Sequence, residues 1–267
     1  MAEPPPLNYQ RVGDGDPMVL LHGIGGELCV WEPVIGPLAR ERDVIAVDLP
    51  GFGHSPALPA EIAPTPQALA ERVGRFLDGL GIERAHLVGN SLGGWIALEL
   101  AKAGRARSVT ALSPAGLWGA PLLPRGAVAR GRAHLLVRRL RPVLPVVLRL
   151  RRIRRLALGH VVAHPDRVPY RSALGIVRSY ARASAYDATN TAMRQNFLED
   201  PERIGVPVTL AFGERDRLVR PVRLPIAGAR SLILPDCGHI PMWDDPALVT
   251  RLILEGSLVA APAAWPA

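Results

Sequence analysis

The stretch Leu87-Val88-Gly89-Asn90-Ser91-Leu92-Gly93-Gly94 constrains this chain more than any other. Residues 85–88 before the elbow read as a buried strand, and residues 92–101 after it read as a helix. A strand that turns into a helix within so few residues presses backbone against backbone. Gly89 and Gly93 remove the Cβ atoms that would clash there. Ser91 is then raised on a strained corner, with a helix N-terminus behind it. The pattern is G-x-S-x-G, and a strand before it with a helix after it is the context in which it marks a nucleophile. Taken alone, so short a motif is equally a glycine-flanked serine in a turn. A serine hydroxyl is a weak nucleophile, so the rest of the chain must supply a base, an acid that orients it, and donors for an oxyanion.

The same alternation runs through the first part of the chain. Residues 18–21 form a strand candidate that ends at the loop "HGIGG". Trp31, Val34, Leu38 and Ala39 recur at helical spacing. Residues 43–48 form a second strand, closed by "LPGFGHS". Leu69, Val73, Phe76, Leu77 and Leu80 predict a helix over 66–80 with Thr65 as its N-cap. Residues 108–112 are the next strand. From about 117 to 195 no strand pattern occurs, and arginine, proline and leucine dominate. Strands return at 206–212 and 231–234, followed by a helix over 246–258. Alternating strands and helices predict a parallel sheet covered on both faces, interrupted by a mostly helical insertion of about eighty residues.

Within this framework the base belongs after the last strand. Of seven histidines, His239 in "LPDCGHIPMWDDP" lies there. His86 falls inside a strand, His22 in the "HG" loop, and His54 after a glycine turn. His134, His160 and His164 fall in the insertion. Asp216 in "FGERDRLV" follows the preceding strand, so its carboxylate lies at the same sheet edge as Ser91, where open parallel sheets gather their sites. Glu214 is its rival. Asp236 stands too near His239 in sequence to approach it from the required side. Cys237 is close to His239, but buried structural cysteine is the more frequent reading of such a residue. Cys29 and Cys237 form no CxxC pattern, which argues against a disulfide scaffold or a cysteine zinc site.

The order Ser91, Asp216, His239 is that of the α/β-hydrolases. The pieces "LLHGIGG", "DLPGFGHS", "GNSLGG", "FGERDRLV" and "CGHIPMWDDP" also occur in that family's order. Across nearly its whole length the chain resembles a serine-type α/β-hydrolase-fold protein. The resemblance implies a mostly parallel sheet with helices on both faces and an inserted helical cap. Core segments would span 1–116 and 196–267, with the cap at 117–195. It implies Ser91 as nucleophile, His239 as general base and then acid, and Asp216 as the orienting carboxylate. The oxyanion hole would use the backbone N–H groups of Ile24 and Leu92, with Gly25 as the alternative donor. Asp48, Gly51 and Gly53 would be turn residues near the site. The edge strand that usually opens the fold is expected to be absent or very short.

Within the superfamily, serine at the elbow argues against haloalkane dehalogenases and epoxide hydrolases, whose members use a carboxylate nucleophile. The implied reaction is acyl transfer to water through an acyl-enzyme, on a carboxylic ester of a small or lipid-like substrate. The elbow and "HGIGG" loop are also similar to those of carbon–carbon bond hydrolases acting on ring-cleavage products. A non-catalytic binding protein that keeps the fold is the contrasting class. No metal cluster or dinucleotide fingerprint occurs, so neither a metal nor a cofactor is expected.

Charge adds one local feature. The net charge is +8, yet residues 125–155 hold eleven arginines and no acid, and without them the balance turns negative. Val146, Leu150 and Ile153 share one helical face, with Arg151, Arg152 and Arg155 opposite. Such a segment suits an anionic membrane or an anionic substrate. A solvated charged face is the blander alternative. Without interleaved aromatics, nucleic acid is not an expected partner. Pro142 and Pro145 break any long helix there. The N-terminus carries no basic and apolar leader, and no run of about 18 apolar residues occurs, so a cytoplasmic protein is expected.

Overall fold

The computed structural model describes residues 6–124 and 131–258. Seven strands form one sheet: β1 (Tyr9–Val12), β2 (Pro17–Leu21), β3 (Asp43–Val47), β4 (Ala85–Asn90), β5 (Ala106–Leu112), β6 (Val208–Gly213) and β7 (Arg230–Leu234), in the order β1-β3-β2-β4-β5-β6-β7. Every pairing is parallel except that of β1, which runs antiparallel to β3 at one edge. The opening edge strand is therefore present but only four residues long. All four are exposed, so no buried-strand pattern marks it.

Around the sheet lie α1 (Glu32–Leu38), α2 (Pro66–Gly79), α3 (Leu92–Lys102) and α9 (Pro246–Leu258). Between β5 and β6 the chain makes a helical excursion through α4 (Arg132–Arg139), α5 (Leu144–Val147), α6 (Arg151–Leu158), α7 (Tyr170–Arg182) and α8 (Tyr186–Arg194), with no strand among its described residues. No helix among the described residues is long and apolar enough to cross a membrane.

Two apolar layers sandwich the sheet, and strand periodicity decides which residue joins which. In β2, Val19 and Leu21 pack with Leu69, Val73 and Phe76 of α2 on one side. Met18 and Leu20 pack with Val34 and Leu38 of α1 and Val249 and Ile253 of α9 on the other. Every residue of β3 and β4 is buried, as a strand covered on both faces requires. Each such aliphatic side chain contributes about 1.5–3 kcal/mol by leaving water. The start of α2 follows its sequence signal: Thr65 Oγ1 accepts the Ala68 amide proton at 3.2 Å.

The excursion has a core of its own. Leu144, Leu148, Leu158, Val162, Val168 and Val177 pack together, joined by Trp243 from the segment that follows β7. One expectation is corrected here. Val146, Leu150 and Ile153 do not share one helical face: Val146 lies in α5, Leu150 caps the start of α6, and Ile153 lies within α6, where it packs against this core while Val146 and Leu150 stay exposed. Two short helices, α5 and α6, take the place of the single amphipathic segment, and each turns a different part of the sequence inward.

Candidate active site

Ser91 stands between β4 and α3 with φ 54° and ψ −117°, a backbone conformation that costs a non-glycine residue of order 1–3 kcal/mol. Its surroundings leave no alternative path. A Cβ at Gly89 would drive into the backbone of Gly93, and one at Gly93 into the Leu21 carbonyl. The corner is pinned further by its neighbour: Asn90 Nδ2 donates to the Leu112 carbonyl at 3.0 Å and to the His239 carbonyl at 2.8 Å. Asn90 thus ties the serine turn to the histidine loop. Sequence reasoning passed it over because it occupies a free position of the G-x-S-x-G pattern.

His239 and Asp216 are brought together. His239 Nδ1 donates to Asp216 Oδ2 at 2.8 Å, and both side chains are buried. The other carboxylate oxygen accepts the amides of Leu218 at 2.7 Å and Val219 at 3.1 Å. Burial pushes the Asp216 carboxyl up, but the His239 ring, the nearby Ser113 hydroxyl and the Leu218 amide outweigh it and hold the group below its ordinary value. Asp216 is therefore ionised through the neutral range. Glu214 is engaged elsewhere: its Oε2 accepts the Asp236 amide at 2.9 Å. Asp236 itself bridges His164 Nε2 at 2.6 Å and Arg215 at 2.7 Å.

The loop after β2 lies against the elbow. A Cβ on Gly23 would sit 3.1 Å from that of Ser91. His22 shapes this loop. The Leu49 amide donates to Nε2 at 2.9 Å, so the ring proton sits on Nδ1, which donates to the Gly23 carbonyl at 2.7 Å. Burial lowers the His22 pKa, which keeps this neutral tautomer. Asp48 also serves the turns, accepting amides from Leu28 at 2.7 Å and His54 at 2.9 Å. Among the described residues, neither the Ile24 nor the Leu92 amide donates to a backbone carbonyl outside its own element. Gly25, at φ +75°, meets the excursion: a Cβ there would lie 2.6 Å from the Tyr180 ring. Tyr180 and Tyr186 stack edge to face at 5.0 Å, with buried His134 against both.

Asp244 joins the excursion to the histidine loop. Its carboxylate accepts the amides of Gly238 at 2.8 Å, Ala163 at 3.0 Å and His164 at 2.8 Å. The sequence displayed it only as one acid of "DDP". Cys237 is buried, and burial together with Asp244, Asp245 and Asp236 pushes its thiol up to about 12; burial and Glu27 do the same for Cys29. Neither is a thiolate at neutral pH. In the native protein at pH about 8 both free thiols should resist Ellman's reagent, and after denaturation both should react. Rapid native reaction at Cys237 would reopen the thiol as a nucleophile.

With this sheet order, elbow and histidine loop, the chain belongs to the alpha/beta hydrolase family, whose profile matches residues 18–252, and it is a hydrolase of that family. Epoxide hydrolase EphH of Mycobacterium tuberculosis (strain ATCC 25618 / H37Rv) is 40% identical over 210 residues, a match covering 69% of this chain and 91% of that protein. The 2-hydroxymuconate semialdehyde hydrolase of Pseudomonas sp. (strain CF600) is 41% identical over 97 residues, only 35% of this chain and 34% of that one. Among solved structures, a thermophilic esterase from Thermogutta terrifontis superposes with TM-score 0.69 at 22% identity, covering 93% of this chain and 92% of the other; at that identity the likeness concerns the fold. The name of the first relative runs against the expectation drawn from the elbow serine.

Proposed function

We propose that this hydrolase cleaves a carboxylic ester of a small or lipid-like substrate through an acyl-enzyme, with Ser91, His239 and Asp216 as its triad. The observation that carries this reading is the 2.8 Å bond from His239 Nδ1 to Asp216, in a loop tied by Asn90 to the strained Ser91 corner. Because Nδ1 carries the proton toward Asp216, Nε2 is left as the base. Ser91 Oγ attacks the ester carbonyl and His239 takes its proton. The amides of Leu92 and Ile24, or Gly25 in place of Ile24, receive the oxyanion. The imidazolium then protonates the departing alcohol. Water, deprotonated in turn by His239, releases the acid and restores the serine. The excursion serves as a cap whose Tyr180 and Tyr186 close over the loop that holds Ile24 and Gly25.

The chemistry of the nucleophile separates this reading from the name of the epoxide hydrolase relative. A carboxylate that opens an epoxide leaves an ester, which water can cleave. A serine hydroxyl would leave an ether with no carbonyl to attack, and the enzyme would stall. Carbon–carbon hydrolysis of a ring-cleavage product is the second reading, favoured by the name of one locally matched relative.

The deciding experiment is fluorophosphonate labelling followed by intact mass, with p-nitrophenyl esters of increasing acyl length and an aryl epoxide assayed before and after labelling. Labelling of one serine, with loss of ester cleavage, is expected. Epoxide hydrolysis that survives labelling would overturn the serine mechanism. Absence of labelling together with absence of turnover would favour the binding-protein class.

A further inference from the structure

We propose that the outer face of the excursion, residues 135–156, docks on an anionic phospholipid bilayer. The apolar residues of this stretch divide into two sets. Leu144 and Leu148 are buried in the excursion's core, with Val137, Val147 and Ile153 packed against it. Leu135, Leu136, Leu140, Val143, Val146, Leu150 and Leu156 are not, and Leu156 is 79% exposed. Half of the large hydrophobic side chains exposed among the described residues lie in this stretch, which is under a tenth of the chain. A face that served only to stay hydrated would have no use for so many leucines.

The polar residues interleaved with them are almost all of one kind. Residues 135–156 contain arginines and no acid, tyrosine, tryptophan, phenylalanine or lysine. Asp166 takes up Arg155 at 2.6 Å, and Arg154 turns back onto the carbonyls of Leu148 and Arg149. Among the described residues no ion pair engages Arg138, Arg139, Arg141, Arg149, Arg151 or Arg152. Beside them lies a groove of about 470 Å³ lined by Arg141, Pro142, Pro145, Arg178 and Arg182, wide enough for a phosphodiester headgroup. Of the lining residues, Arg182 also pairs with Glu27 at 2.7 Å, which holds its guanidinium in place.

Aliphatic side chains and guanidinium groups outside any ion pair match the two layers of a membrane interface. The leucines enter the acyl boundary while the guanidiniums remain among the phosphates. A basic residue near an anionic surface strengthens partitioning by about fivefold. The absence of aromatic rings from the stretch disfavours a protein hot spot or stacked bases. The helices are eight, four and eight residues long, each too short to span a bilayer.

The test reads binding and not turnover, so it stands or falls apart from the ester-hydrolase reading. The full chain is floated with phosphatidylcholine vesicles containing about 30% phosphatidylglycerol, and with phosphatidylcholine alone, at about 50 and about 300 mM salt. Retention on anionic vesicles is expected, at least about tenfold weaker on neutral vesicles and at the higher salt. Two variants separate the contributions: Val146→Ser/Leu150→Ser/Leu156→Ser, and Arg151→Glu/Arg152→Glu. Each should lose at least about tenfold in binding with an unchanged circular dichroism spectrum, because these side chains support no core. No retention at low salt, equal binding to neutral vesicles, or parent-like binding by both variants would overturn the proposal. So would release by millimolar inorganic phosphate, which would mark a site for a free anion. A dimer in sedimentation equilibrium that the leucine variant breaks would assign the face to a second copy and overturn it as well.

Discussion

Ser91→Ala should lower kcat/KM for any ester substrate by about a millionfold, the loss that follows when the nucleophile of a complete triad is removed. The fold should persist. Alanine keeps the Cβ, so the positive φ of the corner costs it about as much as it costs serine, and the Asn90 bonds to Leu112 and His239 do not involve the hydroxyl. Thermal unfolding of the variant should match that of the parent, which separates loss of chemistry from loss of structure. An alanine variant that still hydrolyses esters within about a hundredfold of the parent would remove Ser91 from the mechanism.

Asp216→Asn should cost about ten-thousandfold in turnover, and the hydrogen bonds around it say why. One carboxylate oxygen accepts two backbone amides, from Leu218 and Val219. An asparagine must keep its oxygen on that side, since its NH2 group would meet two donors there. The NH2 then faces His239 Nδ1, which becomes an acceptor, and the ring proton moves to Nε2. The base now points a proton at the serine it should deprotonate. Glu214→Gln should change turnover by less than about twofold, because glutamine can still accept the Asp236 amide. The reverse result, an active Asp216→Asn and a dead Glu214→Gln, would reassign the acid. Because the Asp216 pKa is lowered in the folded protein, its contribution to stability is complete above the ordinary carboxylate value of about 3.9 and is lost as pH falls through the lowered one. Acidification to about pH 5 should therefore leave the Asp216 contribution to stability intact, which thermal unfolding of the parent and Asp216→Asn compared across pH would check.

Much of this arrangement is legible in the chain. The sheet is readable because its inner strands are apolar on both faces and its turns need glycine. The histidine and its acid are readable because each follows a strand near the end of the sheet. Residues whose work is done for the backbone are not readable in this way. Asn90 and Asp244 act on carbonyls and amides brought near only by folding, and their side chains carry no periodicity. Gly25 looks like any glycine of "HGIGG" until Tyr180 is seen above it. In the excursion, periodicity identified an apolar stripe but not its neighbour. Whether Val146 meets a core or solvent depends on where Pro142 and Pro145 turn the helices, which spacing does not encode.

Asp244 has a consequence for movement. One carboxylate holds amides from residues 163 and 164 of the excursion and from residue 238, next to His239. Three charge-assisted bonds of about 1.5–3 kcal/mol each make this corner a hinge pin. The excursion cannot lift away at this corner without straining the loop that carries His239. Substrate entry would then open where the Tyr180 and Tyr186 rings rest on Gly25. A chimera that borrows another enzyme's excursion would have to retain residues 161–164 with Asp244, or it would exchange pocket shape for a misaligned base.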